Sequence, residues 1–172
     1  MARCLIDVSV YNSPMRKCLA LYCLLALVVA GCRSREVEKD LAIADVRTGW
    51  YDLGIVEGQN KLVPSISLRL QNVSSEAISR VQINAVFRQV GETREWDSHF
   101  VRGIGPDGLA PAAKGGELVL RSQRGYLGTQ SRLQMLQNRE FVDAKVEIYG
   151  SHGSRGWVKI GEYTIDRQLL TE

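Results

Sequence analysis

Asp97, Ser98 and His99 are the residue types of an acyl-transfer relay, in which a carboxylate orients an imidazole that takes the proton of a hydroxyl. Consecutive residues on a strand point to opposite faces, so this spacing cannot assemble such a relay. There is no Gly-x-Ser-x-Gly elbow, and Gly103, Gly105 and Gly108 lack the strand-to-helix setting of a phosphate loop. The two histidines, His99 and His152, do not share a helical segment with a second ligand type. Neither a catalytic residue nor a metal or cofactor site is assigned on these grounds.

A different chemistry is offered between Leu118 and Arg139. This segment carries Arg121, Arg124, Arg132 and Arg139 without an acid, around the loop Gly125, Tyr126, Leu127, Gly128. Arginine and tyrosine combine apolar area with directed donors and are enriched where partners bind tightly. Arg121, Arg124 and Tyr126 are therefore the candidate partner-binding residues, for an envelope protein or a glycan. The competing reading makes Tyr126 and Leu127 a plug at the end of the fold, with the arginines facing water. Across the chain, 22 basic residues against 19 acidic ones leave a net charge of +3, too little for a nucleic-acid binder.

The N-terminal region carries a sorting pattern. From Met15, Arg16 and Lys17 precede an uncharged apolar run, Cys18 to Gly31, which at 14 residues is shorter than the roughly 20 that a spanning helix needs. The run closes on Val29, Ala30, Gly31 and Cys32, and polar residues follow at once. This resembles the lipobox of bacterial lipoproteins, which implies that Cys32 is acylated and becomes the mature N-terminus, held in the membrane by its lipid. Arg33 stands where an Asp in that family commonly retains the protein at the inner membrane, so the resemblance implies the periplasmic face of the outer membrane. Residues 1–14 include Asp7 and read as an extension upstream of the true start, 15–31 as the signal peptide, and 32–40 as lipidated cysteine and short tether. Cys4, Cys18, Cys23 and Cys32 are the four cysteines, so a chain cut before Cys32 has no thiol pair to staple it and must rely on its core.

Residues 41–172 alternate apolar and polar side chains with a period of two, the signature of strands with one buried face. Strands are expected at Leu41–Arg47, Ile66–Leu70, Val81–Phe87, Trp96–Val101, Leu118–Leu120, Val142–Ile148 and Trp157–Ile165, with one helical turn within Gln130–Asn138. The expected fold is all-β, an immunoglobulin-like antiparallel sandwich of about seven strands, with a small barrel as the alternative. Val63–Ser122 also resembles the bacterial FxLYD-type domains, through Leu70, Asn72, Ser74, Ile78, Val81, Ile83, Phe87, Leu109, Pro111 and Leu118. Arg88, Gln89 and Val90 stand in place of that family's Leu-Tyr-Asp. The resemblance implies the sandwich fold; such folds host many functions. The expected function is a lipid-anchored, non-catalytic binding or scaffolding lipoprotein of the cell envelope, the alternative being an envelope hydrolase.

Overall fold

The structure, a computed structural model, describes residues 36–170. Cys32 and the signal pattern lie outside the described residues. Among those described, a short helix α1 (Val37–Asp40) leads into strands β1 (Leu41–Val56), β2 (Gln59–Asn72), β3 (Val81–Gln89), β4 (Asp97–Ile104), β5 (Lys114–Arg121) and β6 (Tyr126–Gly128). Helix α2 (Arg132–Gln137), then β7 (Ala144–His152), β8 (Val158–Thr164) and β9 (Leu169–Leu170), complete the fold. One sheet runs β5-β2-β1-β9 with β6 also on β2, and the other runs β4-β3-β7-β8. All pairings are antiparallel except the short contact of β1 with β9. The two sheets pack as an all-β, immunoglobulin-like sandwich.

Between the sheets lie Trp50, Leu62, Ile66, Leu68 and Leu120 from one side and Val81, Ile83, Ala85, Phe87, Val146 and Ile148 from the other, all fully buried. On β3 the register is the expected one, with Gln82 exposed between buried Val81 and Ile83. Nine strands are described where about seven were expected, β6 and β9 being the additions, and Trp96 and Trp157 fall just outside β4 and β8; three further details differ from the sequence reading. The first hairpin is far longer than Leu41–Arg47 and Ile66–Leu70, pairing Leu41 with Asn72 at one end and Val56 with Gln59 at the other. It turns at Glu57 and Gly58, both at positive φ, as a two-residue hairpin that matches the strand twist requires. Val142 is not part of β7 and is exposed, and in α2 it is Met135 and Leu136 that are buried while Leu133 points to solvent.

Pro64 sits inside β2, a strand with neighbours on both sides, although proline cannot donate to a ladder. Its carbonyl accepts from the Ser122 amide. The missing N–H therefore faces the gap where β5 has ended and β6 has not begun, and the interruption between those strands is located by the proline. At the opposite end of the sandwich Asn72 is fully buried and ties the β2–β3 connection. Its Oδ1 accepts from the Ser74 amide (2.9 Å) and hydroxyl (2.7 Å), and its Nδ2 donates to the carbonyls of Glu76 and Leu109 (both 2.8 Å).

The outer face of the second sheet carries a charge network around Glu147, which is 8% exposed. Burial pushes its carboxyl up. Hydrogen bonds from Arg88 Nε and the Tyr149 hydroxyl (both 3.1 Å), with the charges of Arg88 and Lys159, nevertheless hold it below the ordinary glutamate value. A carboxylate whose folded value lies below its unfolded value of about 4.3 favours the folded state at every pH above that value, and loses this effect as pH falls through the folded value. Urea melts between about pH 6 and about pH 3 should show a smaller acid loss of stability in Glu147→Gln than in the parent chain. Equal losses would mean that Glu147 does not contribute to the acid limb.

Candidate functional site

The arginine-rich segment folds as the end of β5, a tight turn, and β6. The turn is organised by Asp97 of β4. Its Oδ2 accepts from the Ser122 hydroxyl (2.9 Å) and from the amides of Gln123 (2.6 Å) and Arg124 (3.3 Å). Burial raises the Asp97 pKa, but these donors outweigh it and hold the carboxyl below the ordinary range. On the same inward face His99 Nδ1 lies 3.0 Å from the Arg121 amide and 2.8 Å from its carbonyl oxygen. Asp97 and His99 thus connect the free edge of one sheet to the free edge of the other. Ser98 is exposed on the opposite face, as the spacing predicted, and the hydroxyl that Asp97 does hold, Ser122, is 2% exposed. Among the described residues no cluster of three or more His, Cys, Asp or Glu is placed to hold a metal ion.

The three candidate residues occupy different environments. Arg121 pairs with Ser65, and its guanidinium carbon lies 3.5 Å from the centroid of the Tyr51 ring. The side chain therefore reaches across the outer face of β2, which explains why Val63 and Ser65 are almost inaccessible on that face. Arg124 has its amide fixed by Asp97 and Ser122 while the residue itself is exposed. Tyr126 is half-buried and closes the end of the sandwich. Its ring centroid is 5.6 Å from Trp50, 5.4 Å from Trp96 and 4.6 Å from Phe141. Its hydroxyl accepts from Gln89 Nε2 (2.9 Å) and donates to the Val142 carbonyl (3.1 Å), both belonging to the opposite side of the sandwich. Burial pushes the phenol up, so the hydroxyl keeps its proton for that bond. This is the geometry of a plug.

The flanking glycines are packed against their neighbours. A Cβ on Gly125 would stand 2.0 Å from the Leu62 carbonyl oxygen, and one on Gly128 would stand 3.1 Å from Met135 Sδ. They are needed because the backbone lies directly on β2 and on α2. Sequence reasoning also missed Arg167, whose Nε bonds Asp143 (2.6 Å) and whose Nη2 bonds the Phe141 carbonyl (2.7 Å), with the Leu136 and Asn138 carbonyls at Nη1. Arg167 thereby holds Phe141 against Tyr126. No local spacing signals this role, since the partners lie 24 to 31 residues away.

What remains accessible at this end is a shallow cleft of about 190 Å³ lined by Tyr126, Leu127, Met135 and Phe141, with Gln130 and Glu140 as polar neighbours. Small-molecule sites are commonly about 300–1,000 Å³, so this cleft suits one inserted side chain better than a whole ligand. Leu127, which lines the cleft, is 46% exposed and extends it as apolar surface. A second cleft, of about 330 Å³, lies between β1 and β8, where the Thr48 carbonyl and hydroxyl are already taken by Gln168 Nε2 and the Asp166 amide.

Fold and site together define a disulfide-free β-sandwich domain whose one end is closed by an aromatic cluster under an arginine-bearing turn. No family model matches this chain, and no curated protein matches it. Among solved structures the chain is similar to Northeast Structural Genomics Consortium target SoR45, at 11% identity and a TM-score of 0.40, over 76% of this chain and 89% of that one. No described helix is long and apolar enough to cross a membrane.

Proposed function

We propose that the protein is a lipid-anchored, non-catalytic binding or scaffolding lipoprotein of the bacterial cell envelope, attached through Cys32 at the periplasmic face of the outer membrane. The observation that carries this reading is the order of Arg16 and Lys17, a short apolar run, Val29-Ala30-Gly31-Cys32 and a domain that begins within a few residues. Only a thiol among these side chains can become the thioether of a lipid anchor. One acyl chain binds a bilayer only marginally, at about 0.8 kcal/mol per buried methylene, whereas the several chains that the lipoprotein resemblance implies would hold the domain permanently. The buried Ser122 and the engagement of Asp97 and His99 with backbone groups support a binding role over a hydrolytic one. Density-gradient fractionation tests the membrane assignment, and recovery with inner-membrane markers would contradict it.

The partner surface in this reading is the end bearing Arg124, Leu127 and the cleft beside Tyr126. Because the Arg124 side chain is exposed and its structural bonds are made by its backbone, Arg124→Ala should keep the melting temperature while reducing recovery of a crosslinked partner from intact envelopes. Unchanged recovery with this folded variant would remove the surface from consideration.

A further inference from the structure

The chain enters the domain at the end opposite the aromatic plug. Glu36 opens α1, which packs against β7 and β8, and Val37 Cγ1 lies against Gly150. Cys32 is four residues before Glu36, so even a fully extended chain places this end within about 14 Å of an acyl anchor at Cys32. At the same end, residues 153–157 connect β7 to β8, and from there Trp157 reaches over the outer face of the sheet to Phe100, midway along β4 and paired with Asn84, with ring centroids 5.9 Å apart. Both rings remain open to solvent, Phe100 at 56% and Trp157 at 45%. Large aromatic side chains left open beside one another mark a contact surface. Arg102 lies two residues along β4 from Phe100 on the same outward face, and Arg155 lies in the connection beside Trp157. Both are exposed.

We propose that the Phe100–Trp157 pair, flanked by Arg102 and Arg155, is a lipid-surface contact that seats the domain on the membrane holding its anchor. The proposal rests on the lipid-anchored reading above and adds to it the face that touches the bilayer. Tryptophan is favoured at the head-group level because its ring is apolar and its N–H finds an acceptor there. Arginine meets lipid phosphates through paired donors. A sugar ring would instead favour a flat aromatic platform, whereas these two rings meet edge to face at 81°. The neighbouring part of the outer sheet face is occupied by ion pairs among Arg88, Lys145, Glu147, Lys159 and Glu162, whose charges are already matched to one another. Seating this end on the bilayer would leave the Arg124 end turned outward, toward a partner.

The three tryptophans make the test direct, because Trp50 is buried and Trp96 packs on Tyr126, both in the cluster at the far end. The full acylated chain is reconstituted into vesicles of phosphatidylethanolamine and phosphatidylglycerol with acyl chains brominated near the head group or near their ends. Emission should be quenched, more by the shallow bromines than by the deep ones, and the quenching should vanish in Trp157→Phe while the emission of Trp50 and Trp96 persists. If the protein carries its acyl groups by mass and floats with the vesicles, yet brominated lipid leaves its emission unchanged, the surface contact is overturned and the anchor stands. A chain with a free Cys32 thiol that does not float overturns both. Soluble peptidoglycan fragments that shift Trp157 emission where brominated lipid does not would overturn the lipid contact in favour of a glycan.

Discussion

Phe87→Ala is expected to destabilise the domain by about 3–5 kcal/mol, while Gln82→Ala on the same strand should cost no more than about 0.5 kcal/mol. Phe87 is fully buried between the sheets, where its removal leaves a cavity that rigid neighbouring strands cannot close. Gln82 faces outward from β3 and is exposed. Against a total stability of about 5–15 kcal/mol for a domain of this kind, the first change is a large fraction of the whole. Urea melts that reverse the order of the two variants would refute the register of β3.

Tyr126→Ala should be nearly as costly, at about 3–5 kcal/mol, because it removes a ring that packs on Trp50, Trp96 and Phe141 and leaves Gln89 Nε2 and the Val142 carbonyl without their bridging hydroxyl. Tyr126→Phe keeps the ring and should lose only about 1–2 kcal/mol, for the two hydrogen bonds. The pair of variants separates packing from hydrogen bonding, and the loss should appear as lower protein abundance as well as in the melts. If Tyr126→Ala melted like the parent chain but lost its partner, the residue would be a contact and not a plug.

The strands with one buried face were legible in the sequence because nothing interrupts their alternation, as in Val81, Ile83, Ala85 and Phe87, all fully buried. The long first hairpin was not, for two physical reasons. Register shifts between Ala44 and Arg47 and between Asp52 and Ile55 reset the alternation, with Asp45 and Gly54 at positive φ inside them. Val63, Ser65 and Ile66 are then buried on both faces of β2, since Tyr51 and Arg121 lie over the outer side, so the period of two is lost. At the candidate site, the residue types were visible but their division of labour was not. Arg121 lies on a tyrosine ring from a strand 70 residues earlier, Tyr126 bridges the two sheets, and only Arg124 presents its side chain outward. Such contacts are set by the packing of distant strands and leave no mark in local spacing. The adjacency of Asp97, Ser98 and His99, by contrast, was enough to separate Ser98 from the other two, because the strand alone decides which way each side chain points.

The proposal that Cys32 ties this sandwich to a membrane is tested most directly at its N-terminus. Mass spectrometry of the protein purified from the membrane fraction should find an N-terminal peptide beginning at acylated Cys32, and Cys32→Ser should leave the precursor uncut and remove the lipid. A Cys32→Ser protein that is processed as before and remains bound to the membrane would contradict the account.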